Sequence, residues 1–549
     1  MTQYGNQHPS RRSILKVAGA IGLGAGAIAV TGTTGVRAAL APAAPAAAFA
    51  HPGLLHAQAD LDRMAAKVAA NAQPYLAGWQ RLTANRHAQS NWKANPQDTI
   101  SRGADKPQNV QVLFNDVHAA YQNALRWRIS GDRANGDAAR DILNAWSGTL
   151  KQITGNADRF LAVGLQGYQF ANAAELMRGY PGFDLDRFKT MMLQVFYPQC
   201  DSFLHDHNGS YITNYYANWD LAILCCVFAI GVLCDDRAKV DQAVQYFRKG
   251  EGNGALQHAI PYLHPGGLGQ FQESGRDQGH TMLDVALMGT LCEMAWNQGI
   301  DLYGEDDSRF LKGAEYVAKY NLGEDVPFTR LTFQQGAPGS WSKTVEHTQV
   351  SPDSRGDQRP IWALIQNHYV NRRGLSAPYS TAMAAKVGTE GGGGDYGPNS
   401  GGFDQLGFGT LAFTRDKAKT PVAPPAPAGT SAGTSAPQGS PTPTGTPEGS
   451  PTGTPTGTPT PQGSSASTGA STGTPTPHGS PTPAGSPAGA AGYAPASASP
   501  QPTGGSATGP GASGSNGLIP FGGAALLAIG GGVLGLRARA RRKGGAHRA

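Results

Sequence analysis

Between His51 and Asp416, apolar side chains recur at helical spacing and almost nowhere with the alternation of a strand. Leu61, Met64 and Val68 share one helix face; Leu113, Val117, Ala120, Tyr121, Ala124 and Leu125 share another. Further helical patterns cover about 136–150, 160–179, 185–199, 216–233, 238–249, 280–298, 309–320 and 359–373. Gly131-Asp132 closes one of them and Pro181-Gly182 another, since proline cannot continue a helix. Only Phe328–Phe333 alternates like a strand, and no repeat of 30–50 residues marks a solenoid. About ten consecutive helices must bury their apolar stripes on one another, so the expected class is all-α. For roughly 365 residues the expected solution is an (α/α) toroid or incomplete barrel, in which inner and outer helices alternate. Its cleft would be built from the longer loops, 96–112, 205–219, 250–280 and 326–358. The run Leu221–Cys234 is apolar all round, as an inner helix would be, and too short to span a bilayer.

The flanking segments are of other kinds. Ser10-Arg11-Arg12-Ser13-Ile14-Leu15-Lys16 precedes a weakly apolar stretch to about Val36, and small residues follow. These are the three parts of a signal peptide over residues 1–38, with cleavage between 38 and 50. The paired arginines resemble a twin-arginine signal, which makes the twin-arginine export machinery an expected partner. From about 420 to 516 the chain is Pro, Thr, Ser, Gly and Ala, a composition expected to remain a disordered stalk. Residues 517–536 hold no charge and suffice for a transmembrane helix. The basic tail 537–549 should stay on the cytoplasmic side, which puts the rest at the cell surface. The layout resembles a sortase sorting signal, but no Leu-Pro-x-Thr-Gly precedes the helix, so the expected anchor is the membrane itself.

Ten of the 44 basic residues lie in those two ends, where no acidic residue stands. That leaves 34 basic against 38 acidic residues, a mildly acidic ectodomain without a nucleic-acid footprint. The five cysteines include no CxxC pair, which removes zinc-ribbon and thioredoxin readings. Cys225 and Cys226 are expected in the core, and one disulfide is compatible with the count.

Two loops concentrate polar chemistry. The first is Gln270 to His280, reading Gln-Phe-Gln-Glu-Ser-Gly-Arg-Asp-Gln-Gly-His after Tyr262-Leu263-His264. Gln272, Glu273, Arg276, Gln278 and His280 could converge on one pocket, or could cap the helix that follows. The second is Tyr211 to Asp220, where Asn214, Tyr216, Asn218 and Trp219 stand before an apolar helix. Aromatic faces stack on sugar rings, and Asn side chains bond hydroxyls or a carboxylate. The same residues could equally be core and helix cap.

Together these segments resemble the alginate-lyase-type polysaccharide lyases, which fold as an α/α toroid. The features that carry the resemblance are His51-Pro52-Gly53-Leu54-Leu55, the helix Asp116 to Trp127 with Gly131-Asp132, and Ala217-Asn218-Trp219. Glu273-Ser274-Gly275-Arg276-Asp277-Gln278-Gly279-His280 and Gly401-Gly402-Phe403 to Leu411 complete them, spread over nearly all of 51–416. The resemblance implies cleavage of a 4-linked polyuronate by β-elimination, with an anionic polysaccharide as substrate and neither metal nor cofactor. The C5 proton beside a carboxylate is barely acidic until that carboxylate is neutralised. Asn218 and Arg276 are implied for the carboxylate, and His280 and Tyr216 for the acid–base pair in either order. Asn214, Trp219, Tyr262, His264, Gln272, Glu273 and Gln278 are implied as substrate-binding residues. The best-known members carry Asn-Asn-His where this chain has Asn218-Trp219, and a Tyr near the position of His280, so the uronate is left open.

His205-Asp206-His207 lacks a third metal ligand and reads as surface polar residues. Gly391–Gly394 is not followed by Gly-Lys-Ser/Thr, so it is no phosphate loop and is expected as a flexible loop over the cleft. Two other functions stay open. One is a glycoside hydrolase on the same toroid, using two of Glu273, Asp277 and Asp220; the other is a non-catalytic glycan-binding surface protein.

Overall fold

The computed structural model describes residues 48–103, 108–397 and 403–426. The expected signal peptide, most of the stalk, the transmembrane helix and the basic tail lie outside the described residues. No described helix is long and apolar enough to cross a membrane.

The chain opens with α1 (Gln58–Ala69) and α2 (Tyr75–Ala84), then β1 (Thr99–Arg102). Next come α3 (Val110–Ser130), α4 (Arg133–Thr149), β2 (Gln152–Gly155) and α5 (Arg159–Met177). Helix α6 (Leu185–Met191) runs through a π turn into α7 (Tyr197–Asp206). Then follow α8 (Ala217–Leu233), α9 (Arg237–Lys249), α10 (Leu256–Ala259), β3 (Tyr262–His264) and β4 (Leu268–Gln270). The last part holds α11 (Gln278–Asn297), α12 (Glu305–Asn321), β5 (Leu331–Gly336), β6 (Ser342–His347), α13 (Trp362–Gln366), α14 (Pro378–Val387) and α15 (Gly409–Ala412).

Burial sorts the helices into two layers. In α8 every residue but Trp219 is buried, and in α11 every residue but His280. Helices α3, α5, α8 and α11 pack side by side as the inner layer. Outer helices bury one stripe: α9 turns Val240, Ala243, Val244 and Phe247 inward at helical spacing. Outer α4, α9 and α12 contact inner α3, α8 and α11 in turn, and α1, α2 and α15 link α13 back to α3. This inner–outer alternation is that of an α/α toroid. Three helix starts carry aspartate caps: Asp132, Asp236 and Asp277 accept from Ala134, Lys239 and His280 N–H. Gly131 closes α3 in the left-handed region.

The strands are small. Strand β1 pairs with β2 in parallel, while β3–β4 and β5–β6 are antiparallel hairpins. The expected strand at Phe328–Phe333 is observed as Leu331–Gly336, and its partner β6 places His347 opposite Leu331. All five cysteines are free thiols, with Cys225 and Cys226 in the core.

Inner helices α5 and α8 approach closely through glycine. A Cβ on Gly167 would lie 2.3 Å from Cys226 Sγ, and one on Gly164 would lie 2.8 Å from the Ala222 backbone. Gly167→Val should therefore cost about 1–3 kcal/mol through overpacking. A denaturant melt reads this, and an unchanged midpoint would contradict the close approach.

Glu390 is buried beneath the start of α13, where its Oε1 accepts the Ala363 N–H (2.8 Å). Burial pushes its carboxyl up to about 7 from 4.5, with backbone N–H groups opposing. The folded state then keeps a proton that the unfolded chain releases. Stability contributed below pH 4.5 is lost as pH rises through about 7, by about 3 kcal/mol at most. Glu390→Gln should flatten this slope in melts recorded from pH 4.5 to 8; an unchanged slope would assign it to other groups.

Candidate active site

The N-terminal ends of α8 and α11 lie side by side, and the turn Gln272–Gly275 joins them. Two side chains of that turn cap α8: Gln272 Oε1 accepts the Ala217 N–H (3.2 Å) and Glu273 Oε1 accepts the Asn218 N–H (3.0 Å). Glu273 is fully buried, and its second oxygen takes Arg276 Nη1 at 2.7 Å. Arg276 Nη2 lies 3.1 Å from His280 Nε2, and Arg276 Nε lies 3.5 Å from Asp277 Oδ2. The Arg276 guanidinium also sits 4.2 Å from the centre of the Tyr216 ring. Its side chain keeps 22% exposure, and each Nη atom retains an N–H beyond those it uses.

His280 is fixed in one tautomer by its neighbours. Its Nδ1 lies 2.7 Å from Asp277 Oδ2, a pure acceptor, and its Nε2 faces Arg276, a pure donor. The neutral ring must carry its proton on Nδ1 and present its lone pair on Nε2. Burial alone would raise the Asp277 carboxyl, but the hydrogen bonds of His280 and the Arg276 charge hold it below the usual range. Burial pushes the Tyr216 phenol above the usual tyrosine range; Arg276 opposes this, and Glu273 and Asp277 add to it. Among the described residues the Tyr216 hydroxyl forms no hydrogen bond, and neither does the side-chain amide of Asn218, whose Oδ1 is buried without a partner. Arg276 thus touches both Tyr216 and His280, while Asn218 is tied to the cluster through its backbone N–H on Glu273.

Several other sequence-expected residues are placed differently. Gln272 and Glu273 serve as caps of α8 rather than as open subsites. Gln278 donates to the Ser274 and Ser351 carbonyls and accepts from Asn321 Nδ2, which leaves it no group for a substrate. Asn214 Oδ1 accepts the Gly336 N–H (2.7 Å), so it anchors the β5–β6 hairpin. Trp219 packs on Tyr215 (4.6 Å) and Phe203 (6.3 Å) in an aromatic stack. Tyr262 reaches the Arg330 carbonyl, and His264 pairs with Gln270 and stacks on Tyr316. No contact joins either to Arg276 or His280. His205 is exposed, but His207 is buried: it bonds Asp220 (2.9 Å), which also takes the Gly254 N–H. That corrects the surface reading of this histidine.

His347 was missed by sequence reasoning. The β5–β6 hairpin brings its ring parallel to Tyr216, 6.2 Å away at 11°, with Phe333 at its edge. Burial lowers its pKa, so it stands neutral beside the site; Glu273 opposes that shift and Arg276 adds to it. Gly275 is required beneath it, since a Cβ there would lie 2.4 Å from the His347 Cβ.

The family model described as alginate lyase matches residues 57–327. The match includes Tyr211–Asp220 and Gln270–His280 and ends before the hairpin that carries His347. The match covers just under half of the chain and supports a polysaccharide lyase, similar over that stretch to the alginate lyases. Solved structures similar to it include alginate lyase A1-III from Sphingomonas species A1, at 14% identity and TM-score 0.46, covering 67% of this chain and 98% of that one. A variant of A1-III complexed with a tetrasaccharide aligns at 14% identity and TM-score 0.46, over 68% and 98%. An alginate lyase from Bacteroides ovatus aligns at 16% identity and TM-score 0.36, over 50% and 84%. No curated protein sequence matches the chain.

Proposed function

We propose that this domain cleaves a 4-linked polyuronate, alginate or a related uronan, by metal-independent β-elimination at the cell surface. The observation that carries the reading is the His280 imidazole, aligned by Asp277 on Nδ1, with its Nε2 beside Arg276. A uronate carboxylate placed on Arg276 and Asn218 would have its charge met there, which makes the adjacent C5 proton removable. As the carboxylate draws the Arg276 N–H from His280, the freed Nε2 lone pair takes that proton. The C4–O4 bond breaks as the C4=C5 double bond forms, and the Tyr216 hydroxyl gives its proton to the leaving O4. A phenol held above its usual range keeps its proton in the resting site. His347, parallel to the Tyr216 ring, would position it. The twin-arginine signal, the stalk and the C-terminal anchor belong to the same proposal, with the domain held outside the membrane.

The hydrolase reading loses support from the site itself. Glu273 is committed to Arg276 and α8, Asp277 to His280 and α11, and Asp220 to His207 and Gly254. No pair of free carboxylates is left among them to flank a glycosidic bond. The purified protein incubated with alginate, glucuronan and other polyuronates should generate the ultraviolet absorbance of an unsaturated end. New reducing ends without that absorbance would mean hydrolysis, and neither signal would leave a glycan binder.

A further inference from the structure

A concave site lies apart from Arg276 and His280. It is a cleft of about 780 Å³ between α2, the turn Arg86–Ala88 and the run Thr389–Asp395, within the size range of ligand sites. Gln80, Arg81, Asn85, Arg86, Asp395 and Phe403 line it. Its charge is lopsided. The Asp395 carboxylate is already engaged by the Gly392 N–H (2.8 Å) and by Asn85 Nδ2 (3.0 and 3.2 Å). Arg81, by contrast, forms no hydrogen bond or ion pair among the described residues, and Arg86 forms one, to Asn115 Oδ1 (3.0 Å). Two exposed guanidinium groups therefore face the cleft with most of their donors free.

The glycine run explains how the cleft is walled. A Cβ on Gly391 would lie 2.6 Å from Arg81 Nη2, one on Gly393 would lie 1.7 Å from the Gln405 carbonyl oxygen, and one on Gly394 would lie 2.6 Å from the Phe403 ring. Only bare backbone can pass beside the Gln405 carbonyl and the packed Phe403 ring in this way. Phe403 is itself held firmly. Its ring stacks on Phe114 at 4.2 Å and meets the edges of His87 and His118 at 5.7 and 5.0 Å. An aromatic ring flanked by free guanidinium groups matches a sugar that carries a carboxylate.

The cleft is on the same end of the toroid as the catalytic cluster. Beyond Phe403, Asp404 pairs with Arg359 Nη1 (3.3 Å), and Arg359 Nη2 donates to the Gly279 carbonyl (2.9 Å), one residue before His280. We propose that this cleft is a remote subsite that binds a uronate residue of the polymer away from the bond being cleaved. Arg81 and Arg86 bind its carboxylate, and Phe403 packs against its ring. The inference rests on the uronan reading of the catalytic site and extends it to a long-chain substrate.

The test uses the full protein and its Arg81→Ala/Arg86→Ala double variant, both positions being exposed and outside the catalytic cluster. Cleavage of uronate oligosaccharides of increasing length gives kcat and KM. On long oligomers the double variant should raise KM roughly tenfold with kcat unchanged, the mark of lost uniform binding. On the shortest cleavable oligomer it should match the wild type. An equal change at every length, or none at any, would overturn the subsite. Calorimetric titration with a long uronate oligomer, against a neutral glucan of equal length, separates the two readings. Binding that needs Arg81 and Arg86 without any cleavage upholds the subsite and sinks the lyase. Cleavage and binding indifferent to both arginines do the reverse, and neither binding nor cleavage sinks both.

Discussion

Replacing His280 by alanine should lower the rate of chain cleavage by roughly 10²–10⁴-fold, the usual worth of a positioned general base. The fold should survive. His280 is the third residue of α11 and the one residue of that helix that is not buried. The bond from its backbone N–H to Asp277 Oδ1 (2.7 Å) does not need the imidazole. The rate is read from the initial rise of product absorbance, and the fold from circular dichroism and a thermal melt. A loss below tenfold with the fold intact would remove His280 from the base role. Asp277→Asn adds a finer reading. The amide can still cap α11 but no longer selects the tautomer by charge. It should slow cleavage less than His280→Ala, with kcat affected more than KM.

The second large effect is expected at Arg276. Lysine there keeps one charge but not the planar fork that reaches Glu273, His280 and the Tyr216 face together. Arg276→Lys should cost about 10²–10³ in kcat, the scale of losing one electrostatic donor to developing charge. Alanine should do more, because it strips the buried Glu273 of its cation. Breaking a buried pair from one side costs about 3–5 kcal/mol. Denaturant melts of both variants separate the two effects. Stability equal to wild type in Arg276→Ala would show that Glu273 does not depend on the pair. The double variant Arg276→Lys/His280→Ala should fall little below the worse single one, because groups acting on one proton transfer are not additive.

The sequence made the layers legible because helical periodicity is local. Runs such as Leu221–Cys234 have no polar side, and only an inner helix can satisfy that. The placement of Asn218, Arg276 and His280 at helix starts was legible for the same reason, since each stands at the start of such a run. What a polar loop residue faces is not local. Gln272, Glu273 and Gln278 have the side chains of ligand-binding residues, yet they bond backbone groups and neighbouring side chains. Tyr262 turned out to reach the Arg330 carbonyl, and His264 to serve its own small hairpin. His347 had no signal at all. Strand β6 is mostly exposed and lacks apolar alternation, so only its pairing with β5, remote in sequence from Tyr216, delivers the imidazole to the site.

The end of the folded domain has a geometric consequence. Ala418 and Val422 donate backbone N–H groups to the Asn371 and Arg372 carbonyls, and Arg372 pairs with Glu293. Glu293 lies thirteen residues beyond His280 along α11, a distance of about 20 Å at 1.5 Å per residue. The polypeptide therefore departs from the pole opposite the one that admits substrate. A bead, dye or partner protein coupled after Val422 would hang from the underside and leave the mouth unobstructed, so immobilised enzyme should turn over long polymer as fast as free enzyme does.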